Sequence, residues 1–128
     1  MSAALLVIEL EACPFAVKSG GHAAFAGGSN IAGGVTIDLV NLNEILVPSD
    51  QTQISVGPGN RWSDVCSHLD PLGLSVIGGR VVDIGVGGLM LGGGISFFSG
   101  RYGMACDNVN NYQVRLMNFQ SSNRIRRG

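Results

Sequence analysis

The first forty residues contain three apolar segments. Ser2 opens an almost wholly apolar run, which predicts a short helix over residues 2–11, capped by Ser2 and ended before Pro14. Residues 15–18 predict a strand. After a loop rich in glycine and alanine, the alternation of apolar and polar positions over residues 35–39 predicts a second strand.

The middle of the chain predicts a hairpin followed by a helix. Two short apolar runs at 45–47 and 52–56 flank four turn-forming residues, a pattern typical of a β-hairpin. Residues 61–69 then have helical spacing and predict an amphipathic helix. Its apolar face consists of Trp62, Val65 and Leu69.

The last third of the chain combines predicted strands, a glycine-dense segment and a polar tail. Residues 74–77 predict a strand, residues 78–103 are dense in glycine, and residues 112–117 predict one more alternating strand. Residues 118–128 are polar, with three arginines and no periodicity, so we expect a tail that is disordered or foreign to the domain. The pattern predicts an α+β domain over residues 1–117.

Composition narrows the class of protein. The chain has 128 residues, enough for one domain, and 20 glycines, more than twice the usual share of about 7%. Only 13% of residues are charged and 45% are hydrophobic, which excludes intrinsic disorder. A net charge of -1 argues against binding to nucleic acid or to an anionic membrane surface.

Neither a metal site nor a membrane helix is indicated. Cys13, Cys66 and Cys106 are far apart in the sequence, so we expect neither a disulfide framework nor a zinc site. The longest apolar run, residues 84–98, is shorter than the roughly 18 residues a bilayer requires and contains six glycines. No compartment can be inferred.

Two glycine clusters could bind an anion through backbone N–H groups. One is the run Ser19-Gly20-Gly21-His22 at a strand end, and the other lies within residues 78–103. The P-loop motif is absent, because Lys18 is the only lysine and lacks the required glycines, and no complete GxGxxG fingerprint occurs. Tight turns remain an alternative use for these glycines. His22 should be exposed, whereas His68 fits a solvated helix position.

These residues, taken together, resemble a known family. The segment Pro14-Phe15-Ala16-Val17-Lys18-Ser19-Gly20-Gly21-His22 is similar to the P-F-x-[VI]-[RK]-[SG]-G-G-H run of FAD-linked oxidases with a PCMH-type FAD-binding domain, the berberine-bridge-enzyme-like and 6-hydroxynicotine-oxidase-like flavoproteins. The resemblance continues through residues 34–39, 56–62, 85–96 and 103–109. It covers residues 2–117 in order.

The resemblance implies FAD as cofactor and a set of residues that hold it. In the family, the histidine of this loop is bonded covalently to the 8α carbon of the flavin, a role that transfers to His22. The loop amides of Ser19, Gly20, Gly21 and Ala23 would hold the pyrophosphate. The glycines that would line the dinucleotide on its other side are Gly85, Gly87, Gly88, Gly92, Gly93 and Gly94.

Three departures from the family qualify this expectation. Residues 79–84 contain no cysteine for a second flavin bond, so attachment should be through histidine alone. Ala23 replaces a common serine, which should weaken phosphate binding. Against the family, the domain should be incomplete at both ends and should lack the substrate domain, so no catalytic base can be nominated.

Three functions stay open at this point. The first is the FAD-binding portion of an oxidoreductase whose relatives oxidise small molecules by hydride transfer to flavin, with O2 as acceptor. The second is a non-catalytic truncated remnant without bound cofactor. The third is a glycine-rich module that binds another anion.

Overall fold

The computed structural model describes residues 13–115 and 121–125. Its strands are β1 (Phe15–Lys18), β2 (Val35–Asp38), β3 (Ile45–Leu46), β4 (Ser55–Val56), β5 (Asn111–Arg115) and β6 (Ser121–Ile125). Its α-helices are α1 (Trp62–Leu69), α2 (Val86–Leu91) and α3 (Ser99–Tyr102), and its 3₁₀ helices are Asp70–Leu72 and Ala105–Asn108. This mixture confirms the α+β class. The helix predicted over residues 2–11 lies outside the described residues.

β1 and β2 form a parallel pair. Phe15 lies opposite Val35, and Lys18 lies opposite Asp38. Both strands are confirmed, the second one residue shorter than predicted. Parallel neighbours need a crossover of about a dozen residues or more, which residues 19–34 supply. The carboxyl ends of both strands therefore lie at the same end of the pair. The turn that follows β1 begins there, at Ser19.

The predicted hairpin is present as β3 and β4. The two strands are antiparallel, with Ile45 opposite Val56, and both of these side chains are half-buried. In the turn between them, Gln51 donates its N–H to the carbonyl oxygen of Pro48 at 3.0 Å. The hairpin places its half-buried side chains against the core around α1.

α1 supplies most of the core. Its buried residues are Trp62, Val65 and Leu69, the three that the spacing predicts. The helix begins where the Arg61 N–H donates to the Asp64 carboxylate at 2.7 Å, which satisfies one of the free amides of the first turn. Val86 of α2 completes this buried cluster. Partly buried side chains around it are Ile45, Val47, Ile54, Val56, Leu74, Val76, Ile84, Leu89 and Met90.

Two sequence-based expectations are corrected. The strand predicted over residues 74–77 is not formed, because no strand pairs with it within the described ranges and Leu74 donates its N–H back to Leu69 at 3.2 Å, closing the end of α1. The tail over residues 118–128 is predicted to be disordered or foreign to the domain. Its described residues, 121–125, form β6, antiparallel to β5 with Asn111 opposite Ile125, so the disordered alternative is wrong for these five residues.

The glycine-dense segment holds two helices that the sequence pattern does not predict. α2 and α3 are only 6 and 4 residues long, too short for helical periodicity to stand out among glycines. Within the described ranges, no helix is long and apolar enough to cross a membrane.

Candidate functional site

A turn of small residues follows the carboxyl end of β1. Gly21 has a φ of 71°, in the left-handed region that residues with a Cβ rarely adopt. Gly21, His22 and Ala23 are all exposed. The prediction that His22 is exposed at this strand end is therefore confirmed.

The backbone N–H groups of this turn are available to a ligand. Across the part of the chain that the structure describes, the amides of residues 19–23 donate to no protein acceptor. Gly21, His22 and Ala23 are exposed, whereas Ser19 and Gly20 are half-buried. A run of free amides at a turn is the arrangement in which proteins bind phosphate oxygens.

The Ser19 hydroxyl joins the turn to two distant segments. Its O–H donates a hydrogen bond to the carbonyl oxygen of Pro58 at 2.5 Å, and its oxygen accepts one from the Gly87 N–H at 3.2 Å. The hydroxyl hydrogen is used within the protein. Ser19 therefore offers a ligand its backbone N–H rather than its side-chain donor.

Gly20 and Gly85 touch through their backbones. A Cβ added to Gly20 would overlap the Gly85 nitrogen and lie 2.6 Å from the Gly85 Cα. A Cβ added to Gly85 would likewise overlap Gly20 and lie 2.6 Å from the Ser19 Oγ. Only glycine fits at either position, so the two glycine clusters singled out in the sequence meet in the structure.

The loop that contains Pro58 is held in place by hydrogen bonds on either side of that residue. Gly57 and Gly59 donate their N–H groups to carbonyl oxygens in the 42–44 segment at 2.8 and 2.9 Å. Asn60 is only 3% exposed, and its side-chain amide donates to the Gly57 oxygen at 2.9 Å. The Pro58 carbonyl is thereby a fixed acceptor.

α2 begins against the same loop. Val86 donates its N–H to the Asn60 oxygen at 2.9 Å, and Gly87 donates to Ser19 as described. Gly88 is exposed, and a Cβ there would meet nothing within 4 Å. Of these residues, Gly88 is the one that faces open space.

We call residues 19–23, 57–60 and 85–88 the glycine cradle. It unites the predicted residues Ser19, Gly20, Gly85 and Gly87 by direct contact. Pro58 and Asn60 belong to it but were not proposed as site residues. Their signal in the sequence is the Gly57-to-Trp62 run, which resembles the family.

The remaining predicted glycines pack elsewhere. The carbonyl oxygens of Gly93 and Gly94 accept the N–H groups of Cys106 and Ala105 at 2.9 and 2.8 Å. Gly92 closes α2 by donating to the Gly88 oxygen at 3.1 Å. This turn is thus built on the 3₁₀ helix Ala105–Asn108.

An ion pair lies beside the turn. The Lys18 ammonium is 2.8 Å from the Asp38 carboxylate, and the aliphatic part of Lys18 lies against Gly21. The Lys18 hydrogen bond, with a second from the Val40 N–H, lowers the pKa of Asp38 below its ordinary value of 3.8. A polar cavity of about 350 Å³ next to the pair is lined by Lys18, Gly21, Ala23 and Asp38, among others.

A second cavity is apolar and separate from the cradle. It has a volume of about 200 Å³ and lies beside α1, lined by Leu69, Val76, Phe97 and Phe98, among others. None of the residues 19–23 lines it. Among the described residues, no three His, Cys, Asp or Glu side chains lie close enough to hold a metal ion.

The glycine cradle suits a dinucleotide such as FAD. Its unpaired amides match phosphate oxygens, its missing side chains permit close approach, and His22 projects an imidazole at the same turn. The site residues therefore fit the cofactor that the resemblance implies.

Comparison with known proteins gives the same assignment. A family model described as FAD binding domain matches residues 1–118. The FAD-dependent monooxygenase tpcD of Cochliobolus heterostrophus is 49% identical over 106 residues, which cover 83% of this chain and 20% of that protein. The chain thus spans about a fifth of the length of this relative.

Solved structures share the fold. The 6-hydroxy-D-nicotine oxidase of Arthrobacter nicotinovorans superposes with a TM-score of 0.90 at 24% identity, covering 97% of this chain and 27% of that one. A glucooligosaccharide oxidase of Acremonium strictum, described with 6-S-cysteinyl, 8α-N1-histidyl FAD, has a TM-score of 0.85 at 22% identity and covers 97% of this chain and 26% of that one. These matches confirm the expected fold. The chain belongs to the FAD binding domain family of FAD-linked oxidoreductases.

Proposed function

We propose that this chain forms the part of an FAD-dependent oxidoreductase that holds the cofactor, and that His22 carries the flavin covalently. The observation that carries the proposal is the position of His22. It is exposed, and it directly follows a turn whose amides have no acceptor within the described ranges. A phosphate held by those amides would bring a dinucleotide next to the imidazole.

The roles within the cradle are proposed from the family resemblance together with the contacts described above. The amides of Ser19, Gly20, Gly21 and Ala23 would bind the pyrophosphate, and Gly88 would border the ligand with its open face. Gly85 and Gly87 would act by packing, because their surroundings are occupied by Gly20, Pro58 and the Ser19 hydroxyl. Gly92, Gly93 and Gly94 would border the dinucleotide further along.

Attachment should use one bond. The related glucooligosaccharide oxidase is described with both a cysteinyl and a histidyl link to FAD. In this chain residues 79–84 contain no cysteine, and Val81 and Val82 are exposed there. The flavin would therefore be held through His22 alone.

The bound FAD would accept a hydride from a small organic substrate and pass the electrons to O2, which yields H2O2. The solved relatives are named for a nicotine derivative and for oligosaccharides. A small molecule is therefore the substrate class for the whole protein. The chain's own residues contribute binding and orientation, and no acid or base is assigned among them.

The test is the intact mass of the purified chain after incubation with FAD and acid denaturation. We expect an increase of one FAD, lost in His22→Ala. His68→Ala is the matched control, because His68 is also exposed but lies on α1, outside the cradle. Equal denaturation-resistant flavin in His22→Ala and the parent would overturn covalent attachment at His22.

A second candidate is a non-catalytic chain without bound cofactor. The observation that favours it is apolar exposure, since Phe25, Leu91 and Phe97 are 73%, 82% and 77% exposed. Large apolar side chains left in contact with water favour association with another apolar surface. Size-exclusion chromatography with absorbance at 280 and 450 nm separates the candidates: a flavin-bearing monomer contradicts the second, and flavin-free aggregate contradicts the first.

A further inference from the structure

We propose that the Ser19 hydroxyl is the positioning group that fixes the His22 turn to the rest of the glycine cradle. One oxygen joins three segments, since Pro58 and Gly87 are 39 and 68 residues away in sequence. The final consequence, that this geometry governs flavin attachment, rests on the proposed function.

The turn has few other connections to these segments. Its own amides at residues 19–23 bond to no described residue, and Gly21 and His22 are exposed. What remains is the backbone contact of Gly20 with Gly85, which limits approach but has no directional preference. The two hydrogen bonds of Ser19 supply the direction.

The partners of Ser19 are themselves immobilised. The Pro58 carbonyl belongs to a loop pinned by the amides of Gly57 and Gly59 and by the buried Asn60 side chain. Gly87 follows Val86, which is buried and bonded to Asn60. Because both of its hydrogen-bond partners are fixed, the Ser19 hydroxyl holds the turn in one position relative to them. A residue that acts on a cofactor needs such support to keep a productive geometry.

The role of the Ser19 hydroxyl can therefore be tested separately from that of the Ser19 backbone N–H. Replacing Ser19 by alanine keeps the backbone N–H that a phosphate would use but removes both bonds and leaves the part-buried Gly87 N–H unpaired. Threonine retains the hydroxyl. An effect of alanine that threonine reverses would identify the hydroxyl as the cause.

The first measurement needs no cofactor. We would compare amide hydrogen exchange at Gly87 by NMR in the parent, Ser19→Ala, Ser19→Thr and Ser99→Ala. Ser99 is the matched control, because its hydroxyl also accepts a backbone N–H, that of Ser96 at 2.9 Å, away from the cradle. We expect exchange at Gly87 to rise about tenfold in Ser19→Ala and less than about twofold in the other variants.

The second measurement is the rate at which the chain gains the mass of one FAD at saturating cofactor, with circular dichroism as a check on folding. We expect a rate about tenfold lower in Ser19→Ala, restored in Ser19→Thr and unchanged in Ser99→Ala. If Ser19→Ala only destabilised the fold, circular dichroism would show a lower folded fraction. The defect would then extend beyond the rate of flavin attachment.

The outcomes separate the two proposals. Unchanged exchange at Gly87 in Ser19→Ala would overturn the positioning role. A parent chain that gains no flavin would overturn the proposed function, while the exchange data would still decide whether the Ser19 hydroxyl holds the Gly87 N–H and so ties the turn to α2. Faster exchange with an unchanged attachment rate would overturn the link between this geometry and attachment.

Discussion

The core around α1 and the glycine cradle are held together by different means. In the core, Trp62, Val65 and Leu69 are 4%, 0% and 1% exposed, and their side chains fill the space between elements. In the cradle, backbone meets backbone at Gly20 and Gly85, and hydrogen bonds fix the rest. The core should therefore be most sensitive to removal of atoms, and the contact of Gly20 with Gly85 to their addition.

Adding one methyl group to the cradle should have the largest effect. Gly85→Ala places a Cβ against the Gly20 backbone, where no flexible side chain can move aside. We expect a loss of about 4 kcal/mol or more in the free energy of unfolding, measured by denaturant titration. Gly88→Ala is the control: its Cβ meets nothing within 4 Å and it lies in α2, so stability should rise by about 0.5–1 kcal/mol. Equal effects of the two changes would contradict the backbone contact.

Removing atoms from the core should come next. Leu69→Ala deletes a side chain that is 1% exposed and should lower the free energy of unfolding by about 3 kcal/mol, through lost burial and the cavity that remains. Leu91→Ala makes the same chemical change at a side chain that is 82% exposed and should alter stability by less than about 0.5 kcal/mol. Urea unfolding followed by Trp62 fluorescence measures both, and similar losses would contradict the position of the core.

A smaller effect is expected at the start of α1. Asp64→Ala removes the carboxylate that accepts the Arg61 N–H and should cost about 1 kcal/mol of stability. Asp83→Ala removes an exposed carboxylate for which the described residues provide no hydrogen-bond donor, and it serves as the control. Thermal unfolding midpoints compare them. A lower midpoint in the control than in Asp64→Ala would argue against the cap.

The smallest effect concerns the exposed ion pair beside the cradle. The pKa of Asp38 is lowered in the folded protein by Lys18 and the Val40 N–H, so the charged form contributes stability above the unfolded value and loses it as the pH falls below 3.8. Asp38→Asn should thus have a lower free energy of unfolding than the parent at pH 7. This difference in stability should vanish at the lowest pH tested. Unfolding titrations between pH 2 and about 7 test this. A difference that grew towards low pH would contradict the assigned direction.

Local sequence patterns predicted the helices and strands whose own residues show a clear spacing or turn pattern. The spacing of Trp62, Val65 and Leu69 is enough to predict a helix and its buried face. Alternation predicts β2, and two apolar runs around a turn predict the hairpin. The strand expected at 74–77 failed because a strand needs a partner, which its own residues do not specify. The same reason explains β6, a strand formed by pairing with β5 in a segment without alternation.

The candidate site, too, could be predicted only in part from the sequence. The sequence by itself determined the family and the cofactor class, and it singled out His22 as the candidate for flavin attachment, since these inferences depend on residue types in a fixed local order. Only the tertiary structure decided that Gly20 meets Gly85 and that Ser19 reaches both Pro58 and Gly87. Such contacts join segments up to 68 residues apart, and a short-range pattern of side chains carries no information about which backbone atoms the folded chain brings together.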